Sequence, residues 1–308
     1  MVEPGCTSLP CHPEASQQMT DPTSDPISPV DLYLDLMKRC LTDLIYRHDP
    51  LANYGLYHPL KGRSPAKEWV LSAIDQFLRP HNIRVVEAQS TKGLNETLEL
   101  RLSGADWPSR AHTMIGLKRL DNLQECIERI IEDKVPGDFI ETGVWRGGAC
   151  IFMRAMLKAY GDGSRLVWAA DSFAGLPPPD STNYPADKGD LHHTQDVLAV
   201  SLEAVQRNFE AYGLLDQQVR FLKGWFKDTL PDAPIKQLAL MRLDGDMFES
   251  TWQALEALYP KLSPGGFVII DDFMLPACAR AVHAFRSSFG INDEIHDIDG
   301  FGAFWRRS

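Results

Sequence analysis

The fold turns on two stretches, Leu238-Ala-Leu-Met-Arg-Leu-Asp244 and Gly266-Phe-Val-Ile-Ile-Asp271-Asp272. Each is an apolar run of strand length closed by acid. Short, near-continuous apolar runs read as strands buried on both faces, the condition of a parallel sheet. In such a sheet ligands bind beyond the carboxyl ends of the strands, so Asp244, Asp271 and Asp272 arrive at one rim. Three carboxylates there repel one another unless a divalent cation or a raised pKa relieves them. A cation is the working expectation, set against the plainer reading that aspartates end strands as ordinary turn formers.

The pattern continues outward from these runs. Strands are expected at Asp138–Thr142, Leu166–Ala170, Val219–Leu222, Leu238–Leu243 and Phe267–Ile270. Helices are expected at Leu117–Ile131, Gly147–Tyr160, about 197–212, 249–262 and 276–288. Strands separated by helices make a doubly wound α/β sheet, and the pieces Ile295–Ile298 and Gly302–Trp305 flank Gly300 as a hairpin would, which adds one antiparallel strand at the edge. This domain spans 110–308. Before it, residues 1–27 are rich in Pro, Ser, Thr and Asp, and are expected to be a disordered tail. Ser28-Pro29 then opens an amphipathic helix to Tyr46 that must dock on the domain or on a second subunit. Residues 47–109 read as a helix over Trp69–Leu78 and two β-like runs, Ile83–Val86 and Thr97–Leu102. They form either a lid over a site or a plain insertion, so 28–109 is an N-terminal helix with an accessory segment.

Composition narrows the classes. The chain of 308 residues is 44% hydrophobic with seven Trp, enough for a full core, and its formal net charge of -11 lacks the basic footprint of a nucleic-acid binder. The six cysteines form no C-x-x-C pair, and no signal peptide or long apolar run is present, so a cytoplasmic protein with no membrane span is expected. The apolar face of the 28–46 helix makes a homo-oligomer an expectation too.

The chemistry gathers at a few positions. Phe139-Ile-Glu-Thr-Gly143-Val-Trp-Arg-Gly147-Gly148 lies between a strand and a helix, where glycines admit a ligand close to the backbone. Asp171, directly after the next strand, can accept both hydroxyls of a ribose, so the two together point to a nucleoside-containing ligand. The glycine spacing is not that of dinucleotide enzymes, and Glu141 puts a carboxylate where a pyrophosphate would have to sit. A cationic cofactor such as S-adenosylmethionine suits the loop better. With no His or Cys beside them, Asp244, Asp271 and Asp272 favour Mg2+, Mn2+ or Ca2+ over Zn2+. Asp246 could remove a proton from a hydroxyl, or could equally cap the helix that follows. Thr113 and Met114 could close over the cofactor and Trp225 could pack on its adenine, with a core role the alternative for Trp225. His192 and His193 fall in a polar stretch, 180–195, that overhangs the rim.

At these positions the chain resembles a known family. Ala111-His-Thr-Met-Ile-Gly116, Leu120-Asp-Asn-Leu123, Asp138 to Cys150, Ala170-Asp-Ser-Phe-Ala-Gly-Leu-Pro177, Gly224-Trp-Phe226, Leu243-Asp-Gly-Asp246 and Gly265 to Asp272 are similar to the macrocin O-methyltransferase family, whose members methylate sugar hydroxyls of antibiotics. The resemblance runs from about residue 31 to the C-terminus. It implies a class I methyltransferase fold, S-adenosylmethionine and Mg2+. It also implies that Asp244, Asp271 and Asp272 are metal ligands and Asp246 the general base. Cofactor contacts carried over by it are Thr113, Met114, Glu141, Thr142, Gly143, Asp171 and Ser172, with Trp225 and Asp228 beside them. The expected activity is therefore O-methylation of a sugar hydroxyl on a small natural product. The rivals are a cation-dependent methyltransferase of catechol-like phenols, a non-catalytic nucleoside-binding domain and, more remotely, a nicotinamide dehydrogenase.

Overall fold

The computed structural model describes residues 27–45, 51–53, 65–81, 86–88, 94–105 and 110–308. In chain order these hold α1 (Pro29–Leu41), β1 (Leu51–Asn53), α2 (Pro65–Leu78), β2 (Val86–Ala88), α3 (Leu94–Ser103), α4 (Leu117–Glu132), β3 (Asp138–Thr142), α5 (Gly148–Ala159) and β4 (Val167–Asp171). There follow α6 (Leu202–Ala211), β5 (Val219–Lys223), α7 (Phe226–Thr229), β6 (Leu238–Leu243), α8 (Phe248–Leu258), β7 (Leu262–Ile270), α9 (Pro276–Phe289), β8 (His296–Asp297) and β9 (Ala303–Arg306). The expectation of a disordered tail concerns residues that, Ile27 apart, lie outside the described ones, as do residues 83–85 of the first β-like run.

Seven strands form one sheet in the order β5-β4-β3-β6-β7-β9-β8. The first five run parallel, and β9 is antiparallel to both β7 and β8. The expected antiparallel strand is thus β9, with the short β8 outside it. From β3 the chain steps outward through β4 to β5, then returns to the other side of β3 as β6. That reversal opens a crevice at the carboxyl tips of β3 and β6, where open α/β sheets bind ligands.

Alternate side chains feed two cores, because successive residues of a strand point to opposite faces. Phe139 and Leu240 join helices α1, α4 and α5 on one face, while Ile140 and Met241 join α8 and α9 on the other. Helix α1 starts on Ser28, whose Oγ accepts from Asp31 N at 3.1 Å, with Pro29 in the first turn. Its Leu34 and Leu41 are fully buried in the first core, each contributing about 1.5–3 kcal/mol. The apolar face on which an oligomer was expected is therefore used within the chain itself.

Three expectations need correction. Thr97–Leu102 is part of helix α3, not a strand. Leu98, Leu100 and Leu102 alternate as in a strand, but Leu, Glu and Arg are strong helix formers, and Arg101 Nη1 anchors the helix by donating to Asp43 O at 2.9 Å. Helix α6 begins at Leu202 rather than near 197, where the Ser201 Oγ accepts from Ala204 N. Strand β7 begins at Leu262, not Phe267, since Pro264-Gly265-Gly266 is absorbed by a register shift against β6. Among the described residues, no helix is long and apolar enough to cross a membrane.

Candidate functional site

Two glycines shape the crevice. Gly143 ends β3 with φ +81, and a Cβ there would come within 1.8 Å of the Asp244 carbonyl oxygen. Only glycine lets the tip of β3 press this closely on the tip of β6, which sets the nucleotide-type loop beside the acidic residues. Gly148 bears on the backbone of His112, to whose carbonyl oxygen a Cβ would approach within 2.4 Å. That contact lays the 111–115 loop across the start of α5 and brings Thr113 and Met114 to the cavity wall.

The cavity measures about 580 Å³ and is lined by seven carboxylates against Arg119, Lys227 and Arg242. A volume of this order holds a small organic ligand. Glu141, on β3, is buried, and its Oε2 accepts from Cys150 N at 3.1 Å in the first turn of α5. The protein's own carboxylate thus occupies the anion-binding end of that helix. Burial pushes the Glu141 carboxyl above its usual range against the pull of Arg242. Asp171, closing β4, accepts from Val144 N at 2.8 Å and Phe173 N at 2.7 Å. Burial raises its carboxyl too, against those backbone donors.

Arg242 organises the acids on one side. It pairs in register with Glu141 on β3 and lies two residues before Asp244, so Glu141, Arg242, Asp244 and Asp271 share one face of the pleat. Its guanidinium donates to Glu141, to Asp271 and, at 3.0 Å, to Asp244. Arg119 completes the pairing of Asp271 through Nη1 at 2.7 Å and reaches Asp299 through Nε at 3.0 Å. Burial would raise the Asp271 carboxyl, but Arg242 and Arg119 more than reverse it and hold it below the usual range.

In the other group only Asp244 touches an arginine, Arg242, among the described residues. Oxygens of Asp244, Asp246 and Asp272 lie within 4.8 Å of one another. Burial, then repulsion from Asp271, lifts the Asp244 carboxyl well above the ordinary value. Burial and repulsion from Asp246 and Asp244 do the same to Asp272. Burial brings Asp246 up to about 6, with His192 pulling it down. This is a donor set of hard oxygens that a divalent cation would relieve. The grouping departs from the expected set: Asp246 stands with Asp244 and Asp272, whereas Asp271 is engaged by two arginines.

Asp246 is not the cap of the following helix. The first free N–H groups of α8, Phe248 N and Glu249 N, donate to the buried carboxylate of Asp187 at 2.7 and 2.9 Å. Asp246 is held in a left-handed conformation at φ 56, its N–H donating to Asp272 Oδ2 at 2.9 Å. A non-glycine residue in that region marks stored strain of the kind found at functional sites.

Of the expected cofactor contacts, Thr113, Met114, Glu141, Gly143, Asp171, Ser172 and Trp225 line this cavity. Thr142 is fully buried in β3, outside the lining, and its carbonyl oxygen accepts from Asp244 N. Asp228 is exposed on α7, outside the lining. His192 joins the wall. Arg242, Arg119 and Asp187 were not singled out from the sequence as site residues. For Arg242 a signal was there: an arginine inside the apolar run of β6, buried on both faces, demands carboxylate partners.

Comparison with known proteins matches this geometry to named enzymes. The macrocin-O-methyltransferase (TylF) family profile aligns with residues 30–307. The 8-demethyl-8-(2,3-dimethoxy-alpha-L-rhamnosyl)-tetracenomycin-C 4'-O-methyltransferase of Streptomyces olivaceus is 52% identical over 279 residues, 90% of this chain and 93% of that protein. The mycinamicin III 3''-O-methyltransferase of Micromonospora griseorubida is 48% identical over 286 residues, 92% of this chain and 99% of that one. Among solved structures, the O-methyltransferase NovP superposes with a TM-score of 0.74 at 46% identity, over 91% of this chain and 99% of NovP. The calicheamicin methyltransferase CalS11, at 21% identity and a TM-score of 0.51 over 83% of this chain and 99% of CalS11, shares the fold.

Proposed function

Because this chain belongs to the macrocin-O-methyltransferase family and is an O-methyltransferase, we propose that it methylates a sugar hydroxyl of a glycosylated natural product. The methyl donor is S-adenosylmethionine, which the class I methyltransferase fold implies. The observation that carries the reading is the meeting, in one cavity, of the glycine loop and Asp171 with the acidic tips of β6 and β7. An acidic wall suits a sulfonium donor and opposes a pyrophosphate.

We further propose that the site is Mg2+-dependent. Asp244 and Asp272 would hold the cation, and Asp271 would be the third ligand. Each Asp271 oxygen is engaged by an arginine N–H, yet a carboxylate has about four lone-pair positions and retains acceptor capacity. Bound there, a divalent cation supplies Lewis acidity toward a substrate oxygen. Asp246 takes the proton of the acceptor hydroxyl, Asp171 orients the ribose, and Thr113 and Met114 shield the donor from water. The grouping of Asp246 with Asp244 and Asp272 favours a second assignment in which Asp246 is the third ligand. Metal titration of Asp246→Asn separates the two: retained affinity supports the base, lost affinity the ligand. The overall reading is tested by offering S-adenosylmethionine with a panel of deoxysugar glycosides and catechols, with and without EDTA. Methylation of a glycoside that EDTA abolishes is expected; transfer only to catechols, or transfer indifferent to EDTA, refutes it.

A further inference from the structure

Each methyl transfer to a hydroxyl releases one proton inside a pocket already crowded with carboxylates, so the proton needs a way out. The 180–198 loop supplies a group for it. His192 lines the cavity with its side chain 33% exposed, so its ring faces both the site and solvent. Its Nδ1 lies 2.6 Å from Asp190 Oδ2, and its backbone N donates to Asp190 Oδ1 at 2.9 Å. An ionised carboxylate only accepts, so Nδ1 carries the hydrogen and Nε2 is left with its lone pair. A carboxylate that fixes a histidine tautomer in this way is the orienting half of an acid–base pair.

The placement of this pair is not left to a loose loop. Asp187, three residues before Asp190, is buried against the start of α8 and accepts from Phe248 N and Glu249 N. Those donors follow Asp246 by two and three residues. The clamp therefore fixes the loop next to the segment that carries Asp246, which lines the same cavity as His192.

We propose that His192, oriented by Asp190, is a catalytic residue that carries the acceptor's hydroxyl proton out of the pocket. This rests on the methyltransferase reading above. In the step the acceptor O–H bond and the S–CH3 bond break, and the O–CH3 bond forms. The proton passes by way of Asp246 to Nε2 of His192 and leaves from there to solvent, while the sulfonium becomes a neutral thioether. Asp187 is a positioning residue for the pair.

The test is steady-state methylation by the intact enzyme with S-adenosylmethionine, Mg2+ and an accepted glycoside. His192→Ala should lower kcat about 100-fold, the scale of one proton-transfer group, while calorimetric affinity for S-adenosylhomocysteine stays within roughly twofold. Added imidazole should then restore kcat by roughly tenfold, since it replaces the missing base, a recovery that a purely structural histidine would not permit. Asp190→Asn should lower kcat in the same direction by roughly tenfold. Wild-type kcat in either variant overturns the proposal, and so does a loss in His192→Ala that imidazole does not restore. If the unaltered enzyme methylates no glycoside, the underlying reading has failed; if it does and His192→Ala does equally well, only the proton route has.

Discussion

Two groups of carboxylates meet at the tips of β6 and β7, and the chain treats them in opposite ways. On one face of the pleat Glu141 and Asp271 are neutralised by Arg242 and Arg119. Beside them Asp272 and Asp246 crowd against Asp244 with no arginine partner among the described residues, and their carboxyls are pushed up. Asp271 and Asp272 are adjacent in sequence but alternate across the strand, so one joins the arginines and the other the repelling cluster. The arginines hold the paired face in place, with Asp271 keeping acceptor capacity, while the crowded carboxylates beside it have the raised pKa values that cluster at functional sites.

Mutations can break this contrast. Asp246→Asn should show the largest effect, a fall in kcat of about 10²–10⁴-fold in a methyl-transfer assay with cofactor affinity retained. Arg242→Met should strike stability instead, by about 3–5 kcal/mol in urea unfolding, because it leaves buried carboxylates without their counter-charge. Asp272→Asn should do the reverse in metal-free buffer, raising stability by about 1 kcal/mol as repulsion is relieved. A variant of Arg242 as stable as the parent, or an Asp272 variant less stable without metal, would erase the distinction between the faces.

The same contrast predicts a pH dependence. Raised carboxyls bind protons more tightly in the folded chain than in the unfolded one, so stability falls as pH rises from the unfolded value near 3.8 through the folded one. For Asp246 that window closes at about 6, and Asp244 and Asp272, raised well above the ordinary value, contribute with the same sign. Asp271 has the opposite sign: its contribution is present above the unfolded value and lost as pH falls through its lowered folded one. Thermal melts in EDTA should therefore decline as pH rises from about 4 to about 6, and less steeply in Asp272→Asn. A flat profile in both would remove the electrostatic argument.

Much of this was legible in the sequence. Apolar runs closed by acid located β6 and β7, and the glycine loop and Asp171 located the other wall, because strand length and turn chemistry are local properties. What decides partners is not local. The register of β3 on β6 sets Glu141 beside Arg242, and no pattern in either strand announces it. The cap of α8 comes from Asp187, 61 residues before Phe248, so Asp246 could not be freed from a capping role by reading its neighbours. Leu98, Leu100 and Leu102 misled for a related reason: six residues satisfy a strand and a helix alike, and α3 was decided by its tie to Asp43 and by helix propensity.

The reading stands or falls on whether Asp244, Asp271 and Asp272 form a cation site next to the methyl donor. Calorimetric titration of Mg2+ into metal-free enzyme carrying S-adenosylhomocysteine tests it most directly, with Asp272→Asn and Asp246→Asn run beside the unaltered chain. One saturable site is expected, lost in Asp272→Asn and kept in Asp246→Asn. No saturable binding to the unaltered protein, or equal binding to Asp272→Asn, would contradict it.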